Sequence, residues 1–350
     1  MKAICIREFG GIDKLKLEDI PKPTPGTGQA LIRVKTAALN RLDIWVRKGR
    51  PGLTIADAHV MGSDAAGYVE AFGPGCENAN VNVGEEVIVH PGVSCMKCEY
   101  CLRGRQNECA SYKLIGFQVP GVYAEFAVVP AVNLFPKPAQ LSWEEAAALP
   151  LSHITAHRML FDRGQLKPGE TVLIHGIGGG VALAALQMIC AHGASAIVTS
   201  SSNEKLELAA KVAHDAAISG FQYGPNIDIA KNILQATQGR GVDLVFDTVG
   251  AATLATSMAT VRRGGRIVTC GVTGGADAQI SLRNLYWNHI SLIGSTMGSM
   301  EDMRLMLKMV EYAKIKPVIC NTFPLEEAAT ATERLESGKQ CGKIVLKVSG

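Results

Sequence analysis

The chain has 350 residues, 47% of them apolar and only 19% charged, a balance that excludes a disordered or solvating protein. Its 35 Lys and Arg against 32 Asp and Glu leave a formal charge of +3, too small for the electrostatic footprint of a nucleic-acid or membrane-surface binder. No stretch reaches the ~18 consecutive apolar residues of a membrane span, and at about 100–200 residues per domain the length predicts two domains or three.

The N-terminus, Met1 to Ile6, reads as a strand, and Arg7, Glu8, Asp13 and Lys14 follow at once. It therefore lacks the apolar core of a signal peptide, and a reducing cytoplasm is the expected compartment. There a cysteine cluster points to metal or catalysis, not to cross-linking. To about Pro138 the texture is β: runs such as 30–35, 67–71 and 86–90 are bounded by turn signals, for example Gly73-Pro74-Gly75. Within this part stands Cys95-x2-Cys98-x2-Cys101-x7-Cys109. Four thiolates on one loop can close a tetrahedral S4 site, which suits zinc and leaves no open coordination position, so the metal is expected to be structural. An iron–sulfur cluster and a metal-free loop are the competing readings. The bacterial ferredoxin run places its fourth cysteine sooner and before a proline, whereas Ala110 follows Cys109.

From about His153 to Thr296 strands and helices alternate. Strands are predicted at 171–175, 196–199, 243–247, 266–270 and 290–293, with helices at 180–192, 203–212, 227–237 and 251–261. Such alternation predicts a parallel sheet covered on both faces. After the first strand comes Gly176-Ile177-Gly178-Gly179-Gly180-Val181-Ala182, opening a helix. Glycines there let the backbone approach a pyrophosphate held on helix N-terminal amides; the alternative is a structural turn. After the second strand an NAD site carries an acid for the ribose hydroxyl, but this chain has Thr199-Ser200-Ser201-Ser202-Asn203. Ser200 and Ser201 leave room for a 2′-phosphate and Lys205 adds charge, so NADP(H) is the expected cofactor. Ser202 or Asn203 can equally serve to cap the next helix. Val249, Gly271 and Val272 follow later strands, at the rim where open α/β sheets bind ligands. Two helices (300–312 and 325–336) and a strand (342–348) close the chain; Met300, Met303, Met306 and Met309 have the helical spacing of packing residues.

Together these residues resemble the medium-chain dehydrogenase/reductase superfamily, over essentially the whole chain. The resemblance is carried also by Gly67, Gly73-Pro74-Gly75 and Val83-Gly84-Glu85-Glu86-Val87, by Tyr123-Ala124-Glu125-Phe126, and by Gly338 with Gly342-Lys343-Ile344-Val345-Leu346. It implies a GroES-like β-rich catalytic domain (1–152) with the four-Cys lobe at about 91–112, a Rossmann doubly wound parallel sheet (153–296), and a C-terminal segment (297–350) completing the first domain. It also implies one structural zinc per subunit and a homodimer or homotetramer, with the apolar stretch at 290–293 able to extend the sheet between subunits.

The departures from the family are informative. Where its zinc alcohol dehydrogenases carry a Cys, a His-Glu pair and a second Cys around a catalytic zinc, this chain has Asn40, Ser63-Asp64 and Leu151, and Leu42 replaces the relay hydroxyl. That set makes a poor zinc site. The stretch Ala38-x-Asn40-x-x-Asp43-x-x-x-Arg47-x-Gly49 resembles the zinc-free quinone oxidoreductase and enone reductase branch. The expectation is hydride transfer from NADPH to a small quinone or α,β-unsaturated carbonyl, with Asn40 donating to the developing oxyanion. Asp43 is expected to support the loop, pair with Arg47 or relay a proton; for Asn40 the bland reading is a turn residue. His153, His157 and His175 are read as core histidines, and His59 and His90 as lying near the cleft. A zinc alcohol dehydrogenase and an NADPH-binding sensor with little turnover remain the alternatives.

Overall fold

The computed structural model describes every residue except 51, 52, 56, 78, 214–216, 349 and 350. The chain divides into two compact units, one of residues 1–152 with 298–350 and one of residues 153–297.

The first unit is organised by the strand Gln29–Ala38, whose residues are buried at seven of ten positions. Asp64–Phe72 pairs antiparallel along one edge, with Ala38 opposite Asp64. The other edge is shared: Phe126–Pro130 takes residues 29–33, and the last strand of the chain, Lys343–Lys347, takes residues 36–38. Glu86–Val89, Leu134–Pro136 and Ile319–Pro324 complete the seven-stranded sheet. Its core includes Ile32, Val34, Val69, Val87 and Leu346. Strands buried on both faces hold few polar groups, and each such group needs a partner.

The second unit is a parallel six-stranded sheet in the order 218–222, 195–200, 171–174, 242–247, 261–269, 291–294. This is the Rossmann order, reversing direction at the first strand and opening a crevice at the carboxyl ends. Gly180–Ala191, Asn203–Ala213, Ile229–Ala236, Ala251–Thr260 and the short Leu282–Trp287 are the helices between strands among the described residues. The strand Ile218–Gln222 has no counterpart in the sequence reading. It lies at the sheet edge, and its residues are half-buried or exposed, so it lacks the apolar run that marks its neighbours. Among the described residues no helix is long and apolar enough to cross a membrane.

Candidate active site and metal lobe

The two strand registers beside Gln29–Ala38 decide what meets at its end. Val345 lies opposite Ala38 in one direction and Asp64 opposite Ala38 in the other, which brings Lys343 and Asp64 together beside Asn40. Lys343 Nζ donates to Asn40 Oδ1 at 2.6 Å and to Asp64 Oδ2 at 3.1 Å. Asn40 Nδ2 donates to the same Asp64 oxygen at 2.9 Å, and the N–H of Leu151 donates to Asp64 Oδ1 at 2.9 Å. Leu151 is the second residue of the helix Pro150–His157, so its N–H is one that the helix cannot use itself. Asn40, Asp64 and Lys343 are buried. Ser63 turns elsewhere, donating to the carbonyl of Ile115 at 2.7 Å.

The positions that match catalytic-zinc ligands in the zinc alcohol dehydrogenases thus carry an amide, a hydroxyl, a carboxylate and an alkyl group. This set has no thiolate or imidazole, and the carboxylate already takes three N–H donors. It does not fit zinc. The two hydrogens of Asn40 Nδ2 are unequally engaged: the second is spent on a 3.4 Å contact with the Ala38 carbonyl, at the limit of hydrogen bonding.

Asn40 is not a turn residue. Its backbone is extended (φ −132°, ψ 154°) and it caps the helix Arg41–Lys48. Asp43, three residues on, accepts the Asn40 N–H at 2.8 Å, holding the helix entry. The same Asp43 oxygen accepts the Tyr123 hydroxyl at 2.7 Å, and Oδ1 has no hydrogen-bond partner. Burial drives the Asp43 carboxyl up to about 6 despite these donors. Gly62 (φ +91°) makes room for the Tyr123 ring, since a Cβ there would sit 2.1 Å from Cδ1. The expected Asp43–Arg47 pair is not formed. Arg47, 1% exposed, donates to the Gly10 carbonyl and to Glu336 Oε2, both at 2.6 Å. Nor is His90 a cleft residue: it is fully buried, with ring contacts to the Gly92 and Gly298 carbonyls. His59 is half-buried beside the Gly116 carbonyl, and His153, His157 and His175 are interior.

In the second unit the glycine loop follows the strand Thr171–Ile174. Gly176 (φ +65°) and Gly178 (φ +128°) take conformations that disfavour side chains, and Gly179 caps the twelve-residue helix Gly180–Ala191, which begins with Gly180 and Val181. A Cβ on Gly179 would meet nothing within 4 Å, so the backbone there is open to a close ligand. The Lys205 stem lies over Gly178, where a Cβ would come within 2.7 Å of its Cδ. Ser200 is buried and accepts the Ser202 N–H at 3.1 Å, while Ser201 is exposed. Asp247 Oδ1 accepts the N–H groups of Val249 (2.7 Å) and Gly250 (3.0 Å), shaping the next loop. Gly271 abuts the Thr248 carbonyl, which a Cβ would approach to 2.0 Å, and Val272 is exposed. These residues lie at the carboxyl ends of strands or in the first turn of the helix that follows. Open backbone and helix N-terminal amides beside an ammonium fit a dinucleotide pyrophosphate.

The four cysteines also converge. Their sulfurs lie within 4.8 Å of one another, with Cys98–Cys101 and Cys95–Cys109 at 3.5 Å and Cys95–Cys101 at 3.9 Å. Disulfides are ~2.05 Å long, whereas a zinc tetrahedron with ~2.3 Å arms has edges of ~3.8 Å. The N–H groups of Lys97 and Cys98 lower the Cys95 thiol to about 6, whereas burial pushes the Cys101 thiol up to about 11, so a bound metal would itself have to hold Cys101 as the thiolate. The site fits a structural zinc. Cys95, Cys98, Cys101 and Cys109 would be its ligands, with no position left for substrate.

Comparison with known proteins agrees over the whole chain. Residues 26–139 match the family model described as alcohol dehydrogenase GroES-like domain, and residues 180–312 match zinc-binding dehydrogenase. An NAD-dependent alcohol dehydrogenase of Sulfolobus acidocaldarius is 33% identical, with 100% of each chain covered. A quinone oxidoreductase of Mus musculus is 31% identical over 99% of this chain and 97% of its own. A crystal structure of an NAD-dependent alcohol dehydrogenase superposes with a TM-score of 0.93 at 39% identity, covering 100% of both chains.

Proposed function

The chain belongs to the medium-chain dehydrogenase/reductase superfamily and is an NAD(P)H oxidoreductase of the alcohol-dehydrogenase type, and from that premise we propose that it reduces quinones or α,β-unsaturated carbonyls with NADPH, without catalytic zinc. The observation that carries this reading is Asp64, whose carboxylate is filled by Lys343, Asn40 and Leu151 where the zinc enzymes ligate metal. A quinone or enone is already electrophilic, so no Lewis acid is needed to activate it.

The dinucleotide, when bound, supplies the hydride. The protein's part is to orient the acceptor and to stabilise negative charge growing on its oxygen. Asn40 is the donor we assign to that oxygen, by transfer of the hydrogen now spent on the long Ala38 contact. Asp43 supports it by fixing the Asn40 backbone. Gly176, Gly178, Gly179, Gly180 and Val181 receive the pyrophosphate, Ser200, Ser201 and Lys205 the 2′-phosphate end, and Val249, Gly271 and Val272 the nicotinamide ribose. We assign the enzyme to the cytoplasm as a homodimer or homotetramer. Leu282, Tyr286 and Trp287, each more than 60% exposed on the helix Leu282–Trp287, favour assembly through that region.

The test pairs turnover with metal content. Purified without added zinc, the enzyme should hold one zinc per subunit and oxidise NADPH with menadione or methyl vinyl ketone, but not reduce NADP with simple alcohols. Two zinc ions per subunit together with alcohol oxidation would establish an alcohol dehydrogenase instead. Tight NADPH binding with no acceptor would leave a sensor.

A further inference from the structure

Lys343 is 5% exposed, and a buried ammonium is costly unless it is paired. Asp64 alone would neutralise it. Yet the shorter of its two contacts is to the neutral Asn40 amide oxygen, 2.6 Å against 3.1 Å to the carboxylate. This has two effects on Asn40. An ammonium only donates and a carboxylate only accepts, so with Lys343 on Oδ1 and Asp64 on Nδ2 the amide has one permitted orientation. The ammonium also draws charge toward Oδ1, which strengthens both Nδ2 hydrogens as donors. One of those hydrogens is committed to Asp64. The other is held only by the 3.4 Å contact with the Ala38 carbonyl, the weakest of the bonds the amide makes.

We propose that Lys343 is a positioning residue for the reduction, locking and polarising the Asn40 amide so that its second Nδ2 hydrogen is presented to the acceptor oxygen. The inference rests on Asn40 being the donor, as assigned above. Without Lys343, Asn40 Oδ1 loses its ammonium donor, the amide is free to flip, and the Asp64 carboxylate is left buried without its cation. The cation therefore acts through Asn40 and needs no contact of its own with substrate.

The experiment uses the full-length zinc-loaded enzyme with NADPH and menadione, comparing Lys343→Met and Lys343→Arg with the parent. Losing one oxyanion donor outright costs about 10²–10³ in kcat, so loss of its alignment in Lys343→Met should cost about tenfold or more. KM for menadione and the NADPH dissociation constant should stay within about twofold, because neither binding surface has been altered. Lys343→Arg, which keeps a charged donor, should recover most of the lost kcat. An unchanged kcat in Lys343→Met, or a folded Lys343→Arg no better than Lys343→Met, overturns the proposal. If the stranded Asp64 charge prevents Lys343→Met from folding, the double variant Asp64→Asn/Lys343→Met carries no stranded charge and should show the same kcat loss; full kcat there also overturns it. A parent enzyme that reduces neither quinones nor enones rejects the functional reading itself, and this inference with it.

Discussion

Ser200 ends the strand Ser195–Ser200 with its hydroxyl bound to the Ser202 N–H, at the place where an NAD site carries an acid. An acid here would accept the ribose hydroxyls and repel a 2′-phosphate. Ser200→Asp should therefore shift the ratio of kcat/KM values from NADPH toward NADH by about tenfold or more, equivalent to about 1.4 kcal/mol. An unchanged ratio would place the phosphate contacts elsewhere. At this scale the sequence was legible where the informative residues are replacements: Asn40, Ser63, Asp64 and Leu151 could each be read against a known ligand set. Lys343 was visible within its Gly-Lys-Ile-Val-Leu motif, but its partners Asp64 and Asn40 lie 279 and 303 residues away, a pairing no spacing rule can indicate. Arg47 illustrates the opposite error. The i, i+4 rule offers Asp43 as its partner, but the guanidinium pairs across the fold with Glu336, 289 residues on.

The four-Cys lobe is the most legible element, because all its candidate ligands lie in one short segment and local spacing sets their geometry. Its attachment is not legible. Gln106 donates to the Cys101 carbonyl at 3.4 Å and accepts the Met300 N–H at 3.3 Å, tying the lobe to the start of the helix Met300–Tyr312. Structural zinc in small peptides binds with about 10–16 kcal/mol, so removing it should melt the lobe. Cys98→Ser, or prolonged chelation, should lower zinc from one per subunit to none and open residues 95–109 to proteolysis while leaving NADPH affinity unchanged. A metal-depleted enzyme that stayed protease-resistant but lost only its chemical step would show that the zinc is not structural. The edge strand Ile218–Gln222 is not legible for a reason of the same kind: an element half-exposed on an edge needs no apolar periodicity.

The whole molecule is built as one unit inserted into another. All six strands of the parallel sheet fall within residues 153–297, so that segment expressed alone should fold cooperatively and bind NADPH without turning over any acceptor. A chain ending before Lys343 should behave differently, losing the strand that covers residues 36–38 and exposing that edge. Limited proteolysis and NADPH fluorescence would read both outcomes; a fragment 153–297 that stays unfolded would mean the sheet depends on its host unit. The same insertion imposes an order of events during synthesis. A ribosome adding about 5–20 residues per second needs roughly 15–55 s to travel the 279 residues from Asp64 to Lys343. The inserted unit is complete before the unit that hosts it. Until the last strand emerges Asp64 lacks the Lys343 cation and residues 36–38 of the central strand lack their neighbour, so a prematurely terminated chain should be inert and should expose an unpaired edge to chaperones and proteases.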